Sequence, residues 1–227
     1  MKLYIDDADL GEIRRLWEIY PLDGVTTNPT ILARSGRHPK ETLLEIRKII
    51  GDDAELFVQA LPKDMAGIIA DGEAIVSAFG AKTVVKIPSV PEGFAAMKAL
   101  NRKGIVTCGT AVYTPMQAYL AAKAGAAYVA PYLNRIDNMG FDGVSIVKHI
   151  HDLLQKGGYS TEVLAASFKN SQQVLDICAY GIGAATCAPA IIDGFTKNVA
   201  IDAAVDAFIA DFEKAYGKGE TMKSLLQ

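Results

Sequence analysis

The sequence predicts an α/β chain that closes into a single (β/α)8 barrel, and three observations carry that prediction. Short apolar runs alternate with longer amphipathic ones from end to end, giving eight strand–helix pairs. The strand candidates are largely apolar runs rather than alternating ones, as strands buried on both faces are. No linker or low-complexity segment divides the 227 residues. That length suits one barrel, although a prior of roughly 150 residues per domain would allow two.

Strands are expected at residues 3–6, 24–28, 55–61, 83–87, 105–112, 128–133, 162–167 and 184–188. The first helix, residues 9–20, puts Leu10, Ile13, Leu16 and Trp17 on one face and Glu12, Arg14 and Arg15 on the other. Pro39 opens a second that carries Leu43, Leu44, Ile46 and Ile50, with proline at its favoured first position. Further helices are expected at 64–79, 91–101, 115–124, 144–154, 171–179, 189–195 and 201–215. Several end at a glycine, among them Gly80, Gly104, Gly125, Gly157 and Gly181. An open doubly wound sheet is the competing architecture, since alternation alone does not count closure. No Gly-x-Gly-x-x-Gly follows the first strand, and Gly181-Ile182-Gly183 reads as a turn. Residues 216–227 are polar and read as a tail behind one domain.

Composition narrows the function. Half the residues are hydrophobic and 22% are charged, which provides a large core and argues against disorder. Formal charge is −3, from 23 basic and 26 acidic residues, without the basic excess of a nucleic-acid binder. Cys108, Cys178 and Cys187 are too scattered for a disulfide framework and sit in apolar stretches, so all three are expected in the core. The longest uncharged run, between Lys103 and Lys123, contains Gly104, Gly109, Pro115 and several threonines, and is not expected to cross a membrane. The N-terminus turns acidic too early for a secretory signal, so a cytoplasmic location is expected.

Barrel chemistry belongs at the C-terminal ends of the strands. The first ends in Asp6-Asp7, of which alternation lets one carboxylate face the interior. The second ends in Thr26-Thr27-Asn28-Pro29, short polar side chains that suit either a helix cap or a substrate. The third places Gln59 in an apolar run, where an amide needs partners. The fourth embeds Lys86 in Val84-Val85-Lys86-Ile87-Pro88. A desolvated lysine tends toward the neutral amine, and a neutral amine attacks carbonyls to form an imine. Otherwise it must snorkel out or pair with an acid, for which Asp6 is available. Thr110 ends the fifth strand, and Tyr132, a potential proton donor, ends the sixth. Arg135 beyond it and Ser167 at the seventh could build an anion site, with Lys169 on the same side as Ser167. His149 and His151 do not share a helix face, and no metal or nucleotide motif is present.

Together these segments resemble the transaldolase family. The resemblance rests on Asp6, on Gly24-Val25-Thr26-Thr27-Asn28-Pro29 and on the Lys86 segment. Gly109-Thr110-Ala111-Val112-Tyr113, Ala130-Pro131-Tyr132-Leu133-Asn134-Arg135-Ile136-Asp137 and Ala165-Ala166-Ser167-Phe168-Lys169 extend it nearly end to end. Within the family the chain is most similar to the small fructose-6-phosphate aldolases. Transaldolases carry Glu at the third-strand position and usually Phe at the sixth-strand aromatic, where this chain has Gln59 and Tyr132. The resemblance implies Schiff-base chemistry on Lys86 without cofactor or metal, with Asp6 assisting proton transfer. Gln59, Thr110 and Tyr132 would hold the catalytic water, Thr27 and Asn28 the substrate hydroxyls, and Arg135 with Ser167 a phosphate. The implied partners are sugar phosphates and further copies of the chain, as pentamers or decamers. Three functions follow: a fructose 6-phosphate aldolase, a transaldolase that passes dihydroxyacetone between sugar phosphates, or a non-catalytic sugar-phosphate-binding barrel.

Overall fold

The computed structural model describes residues 1–227 and divides them into two compact units, Met1–Ile192 and Asp193–Gln227. The first runs β1 (Lys2–Asp6), α1 (Leu10–Ile19), β2 (Gly24–Thr26), α2 (Pro29–Arg34), α3 (Pro39–Ile50), β3 (Glu55–Gln59), α4 (Met65–Phe79) and β4 (Thr83–Pro88). It continues as α5 (Pro91–Arg102), β5 (Thr107–Val112), α6 (Pro115–Lys123), β6 (Tyr128–Pro131), α7 (Leu133–Asp137), α8 (Gly143–Lys156), β7 (Glu162–Ala165), α9 (Ser171–Tyr180), β8 (Ala184–Cys187) and α10 (Pro189–Asp193). The second unit holds α11 (Val199–Tyr216) and α12 (Met222–Leu225), so the segment set apart from the barrel begins well before the polar tail. No helix is long and apolar enough to cross a membrane.

Each strand pairs in parallel with the next, and β8 pairs with β1 to close the barrel. Closure decides between the two architectures that alternation allowed. At Gly24 a side chain is excluded, because a Cβ there would lie 2.0 Å from the Glu55 carbonyl oxygen of the neighbouring strand. Some barrel strands end where a polar residue leaves the ladder to cap the following helix, as Asn28 does after β2 and Thr114 after β5. Asn28 caps α2 by accepting from the Ile31 amide at 3.0 Å. That is why β2 stops at Thr26 rather than Asn28. The short helices α2 and α7 occupy stretches expected to be strand ends or loops.

Two apolar shells pack the helices onto the outside of the barrel, one centred on Val85, Ile87, Met97 and Leu100 and the other on Ile5, Ile13, Leu16 and Ile46. A third cluster fills the interior: Tyr4, Phe57, Val84, Cys108, Tyr128, Ala130, Leu164 and Ala184. Tyr4 and Tyr128 meet Phe57 edge-on, both with ring centroids 5.2 Å apart. These residues fix the inward parity of the strands on which they lie. Cys108 and Cys187 are buried as expected, but Cys178 is exposed. Its neighbour Ile177 faces the core of the amphipathic α9, and the helical turn carries the next residue away from it.

Below the aromatic layer, at the N-terminal end of the barrel, lies a polar cluster. Lys2 Nζ donates to the Tyr128 hydroxyl at 2.6 Å, and that hydroxyl donates to Glu55 at 2.9 Å. Tyr4 donates to the same carboxylate at 2.5 Å. Burial opposes the Lys2 charge, yet the bond to Tyr128 and the fields of Tyr128 and Glu55 hold its ammonium above the ordinary value. Burial, assisted by the bond to Glu55, pushes the Tyr4 phenol up as well.

Candidate active site

Two residues beyond the interior apolar layer, the same inward parity brings up polar side chains. Asp6 follows Tyr4, Gln59 follows Phe57, Lys86 follows Val84, Thr110 follows Cys108, Tyr132 follows Ala130 and Thr186 follows Ala184. The strand register sets Asp6 beside Thr26 and Gln59 beside Lys86. They surround a cavity of about 400 Å³ at the C-terminal mouth, lined among others by Asp6, Gln59, Lys86 and Tyr132.

Lys86 is 4% exposed, and its Nζ donates to the Thr27 carbonyl at 2.9 Å. An amine there meets few waters and one fixed acceptor, so its only other approach is from the cavity. The sequence offered Asp6 as its ion-pair partner, but no Asp6 oxygen lies in ion-pair contact with it. Asp6 instead accepts from the Thr26 hydroxyl at 2.8 Å, and Thr26 lies 2.6 Å from the Thr186 hydroxyl. Burial pushes the Asp6 carboxyl above its ordinary 3.8, with Lys86 and the Thr26 bond pulling the other way. Its neighbour Asp7 accepts from the amides of Ala8 and Asp9 at 2.7 and 3.0 Å, a turn role as alternation requires.

Across the cavity the Tyr132 hydroxyl lies 2.9 Å from Thr110 Oγ1. The Arg135 guanidinium stacks over the Tyr132 ring at 4.6 Å and reaches the Tyr113 hydroxyl at 3.5 Å. Those contacts hold the fork over the mouth, and the Tyr113 bond raises its pKa further. Ser167 lines the same cavity. Burial pushes the thiols of Cys108 and Cys187 up to about 12, so neither is a nucleophile here.

Two expectations are corrected. Thr27 does not present its hydroxyl to the cavity: it is fully buried and donates to the Phe57 carbonyl at 2.9 Å. It has the opposite parity to Thr26, which faces inward. Lys169 does not line the cavity that Ser167 lines: β7 ends at Ala165, so the alternation that would put the two on one side does not reach them. Ser167 then adopts φ 63°, a left-handed conformation uncommon for a residue with a Cβ. Ala111, at φ 54°, is the other such residue, at the irregularity between Gly109 and Val112 of β5. Both line the cavity, where strained backbone held by its surroundings tends to collect.

Sequence reasoning missed three side chains. Thr26 and Thr186 share the parity of Asp6 and could have been found by carrying the period of two through every strand. Arg34, at the end of α2, also lines the cavity; its helix was unforeseen, and no local signal marks it. The family model described as transaldolase/fructose-6-phosphate aldolase matches residues 3–226. Among solved structures, one titled "Native KDPGal structure" is similar at 13% identity and a TM-score of 0.61, covering 82% of each chain. At that identity the likeness is one of fold.

Proposed function

The chain belongs to the transaldolase/fructose-6-phosphate aldolase family, an enzyme of the aldolase type, and we propose that it cleaves and forms fructose 6-phosphate through an imine on Lys86. The observation that carries this reading is Lys86 itself, 4% exposed and open to a polar cavity. The amine adds to the C2 carbonyl of the ketose, water leaves, and an iminium forms. The iminium withdraws the electrons of the C3–C4 bond as a base takes the proton of the C4 hydroxyl. Glyceraldehyde 3-phosphate departs and an enamine stays on Lys86. Asp6, whose carboxyl burial holds above its ordinary value and which lines the same cavity as Lys86, suits the proton transfers.

The Tyr132 hydroxyl, held by Thr110, then gives a proton to C3, and water oriented by Gln59 hydrolyses the imine to release dihydroxyacetone. Asn28 offers its amide to substrate hydroxyls, and Arg135 with Ser167 holds the phosphate. Gln59 cannot act as the general base a glutamate would be, and Tyr132 supplies a hydroxyl that phenylalanine lacks. That pairing favours the aldolase over a transaldolase. Product analysis with fructose 6-phosphate tests it: free dihydroxyacetone without any acceptor is expected. Turnover only when an acceptor aldose phosphate is added would establish the transaldolase instead, and a failure of borohydride to trap any ketose would leave a binding barrel.

We further propose that the enzyme is cytoplasmic and assembles from copies of this chain, as rings of five or paired rings. Support for assembly comes from α11, which buries none of its residues and leaves Val199 86% and Phe208 71% exposed. Phe208→Asp is expected to lower the mass in solution. Three free cysteines accord with a reducing compartment.

A further inference from the structure

Side chains on three adjacent strands form a chain of hydrogen bonds whose far end has no task in the mechanism above. β1 lies between β2 and β8 in the closed barrel, and the register sets Asp6 beside Thr26 on one side and Tyr4 beside Thr186 on the other. The Thr26 hydroxyl donates to Asp6 Oδ1 at 2.8 Å, and Thr186 Oγ1 lies 2.6 Å from Thr26 Oγ1. Thr26 is fully buried and stands behind the cavity wall, whereas Thr186 is nearly as buried but borders the cavity.

Counting hydrogens gives the chain a direction. A threonine hydroxyl carries one hydrogen and can accept two bonds. The Thr26 hydrogen lies on the bond to Asp6, so the short contact with Thr186 is a bond that Thr186 donates. The order is Thr186 to Thr26 to Asp6 Oδ1, and all of it points at the carboxylate. A hydroxyl that accepts a hydrogen bond donates a stronger one, so Thr186 reinforces the Thr26 bond without touching Asp6. The other oxygen, Asp6 Oδ2, takes no hydrogen bond from the protein and is not sealed off, and Asp6 borders the cavity that Lys86 lines.

We propose that Thr186 is a positioning residue for the aldol step: through Thr26 it pins Asp6 Oδ1, keeps the carboxyl in one orientation, and leaves Oδ2 as the oxygen that takes the proton of the C4 hydroxyl. The inference rests on the imine reading of Lys86, with Asp6 as base, and deepens it. The proton passes from the C4 oxygen to Oδ2 while the C3–C4 electrons move into the iminium, and neither threonine gives up its hydrogen. The Thr26 bond favours the ionised carboxyl against burial, as do Lys86 on β4 and Arg34 on α2, while Asp7 opposes it. Arg135 on α7 feels the Asp6 charge, and the Cys187 thiol on β8, pushed up to about 12, adds no charge of its own. None of these groups hydrogen-bonds the Asp6 carboxyl, so the threonine chain is its directional hold.

The test is the pH profile of kcat/KM for fructose 6-phosphate cleavage on the full chain, with borohydride trapping at Lys86 alongside. The acid limb of kcat/KM reports the ionisation of the base in the free enzyme. Thr26→Val removes the bond to the carboxylate, so its acid limb is expected about one pH unit above that of the wild type, the scale of one hydrogen bond to a charged group. Thr186→Val keeps the Thr26 bond but weakens it. Its limb should move the same way by less, with kcat about tenfold lower, as for a misplaced catalytic group, and KM nearly unchanged. Thr186→Ser keeps the donor and should return both toward the wild type. A Thr186→Val enzyme whose acid limb stays in place overturns the inference, and a raised KM in that case would make Thr186 a substrate contact. Thr186→Ser behaving like Thr186→Val overturns it too, because packing rather than the hydroxyl would then matter. Ketose still trapped at Lys86 leaves the imine reading standing in those cases, and no trapped ketose in the wild type overturns both.

Discussion

The two ends of the barrel interior are built on the same strands and the same parity, yet they treat polar groups in opposite ways. At the N-terminal end Lys2, Glu55, Tyr4 and Tyr128 satisfy one another within 2.5 to 3.4 Å. At the C-terminal end Lys86 has one backbone acceptor, the Gln59 amide has no protein partner, and two guanidiniums line a cavity. Between them an apolar layer centred on Phe57 separates the fields. A closed network stabilises, whereas groups left without partners are available to a substrate and cost stability until one arrives.

Substitutions at each end test that contrast. Lys86→Ala should abolish the borohydride-trapped adduct and lower aldol turnover at least about a thousandfold, while leaving the fold intact; a variant that still turned over at a tenth of the rate would remove Lys86 from the chemistry. Tyr132→Phe is expected to lower the rate of dihydroxyacetone release about a hundredfold, the scale of one general acid, with KM for fructose 6-phosphate moving less than kcat. At the other end Glu55→Gln should cost about 1 to 3 kcal/mol by unbalancing the network, seen as a Tm several degrees lower with turnover unchanged. Loss of turnover at full stability would mean that the apolar layer does not insulate the ends.

Asp6 links the contrast to pH. Its folded pKa lies above 3.8, so the native state binds more protons than the unfolded chain between 3.8 and the raised value, and stability falls as pH rises through that window. Asp6→Asn should therefore be more stable than the wild type at neutral pH, with the advantage fading as pH is lowered toward 3.8, and it should lose activity. Chemical denaturation at several pH values measures this, and a difference independent of pH would refute it. The smallest effect concerns the thiols: iodoacetamide on the native protein should label the exposed Cys178 and spare Cys108 and Cys187, with little change in turnover.

Much of the site was legible before the fold. Lys86 stood out because a charge in an uninterrupted apolar strand demands a reason, and Asp6, Gln59, Thr110 and Tyr132 stood out as polar residues closing similar runs. The same period would have yielded Thr26 and Thr186, and it would have turned Thr27 away from the cavity. Reading failed where chain direction changed: past Ala165 the backbone enters the left-handed region at Ser167, and alternation says nothing about where Lys169 goes. Cys178 was misplaced because an apolar neighbourhood in sequence does not say which face of a helix a residue occupies.

By itself the sequence determined the alternation, the parity of each strand and the residue types delivered to one end of it, since those depend on periods of two and 3.6 and on the cost of burying polar groups. Only the tertiary structure decided that the sheet closes, that β2 and β6 stand opposite one another, and that Arg34 and Arg135 therefore meet across the same cavity. Those facts depend on register and closure around eight strands, which no local window contains.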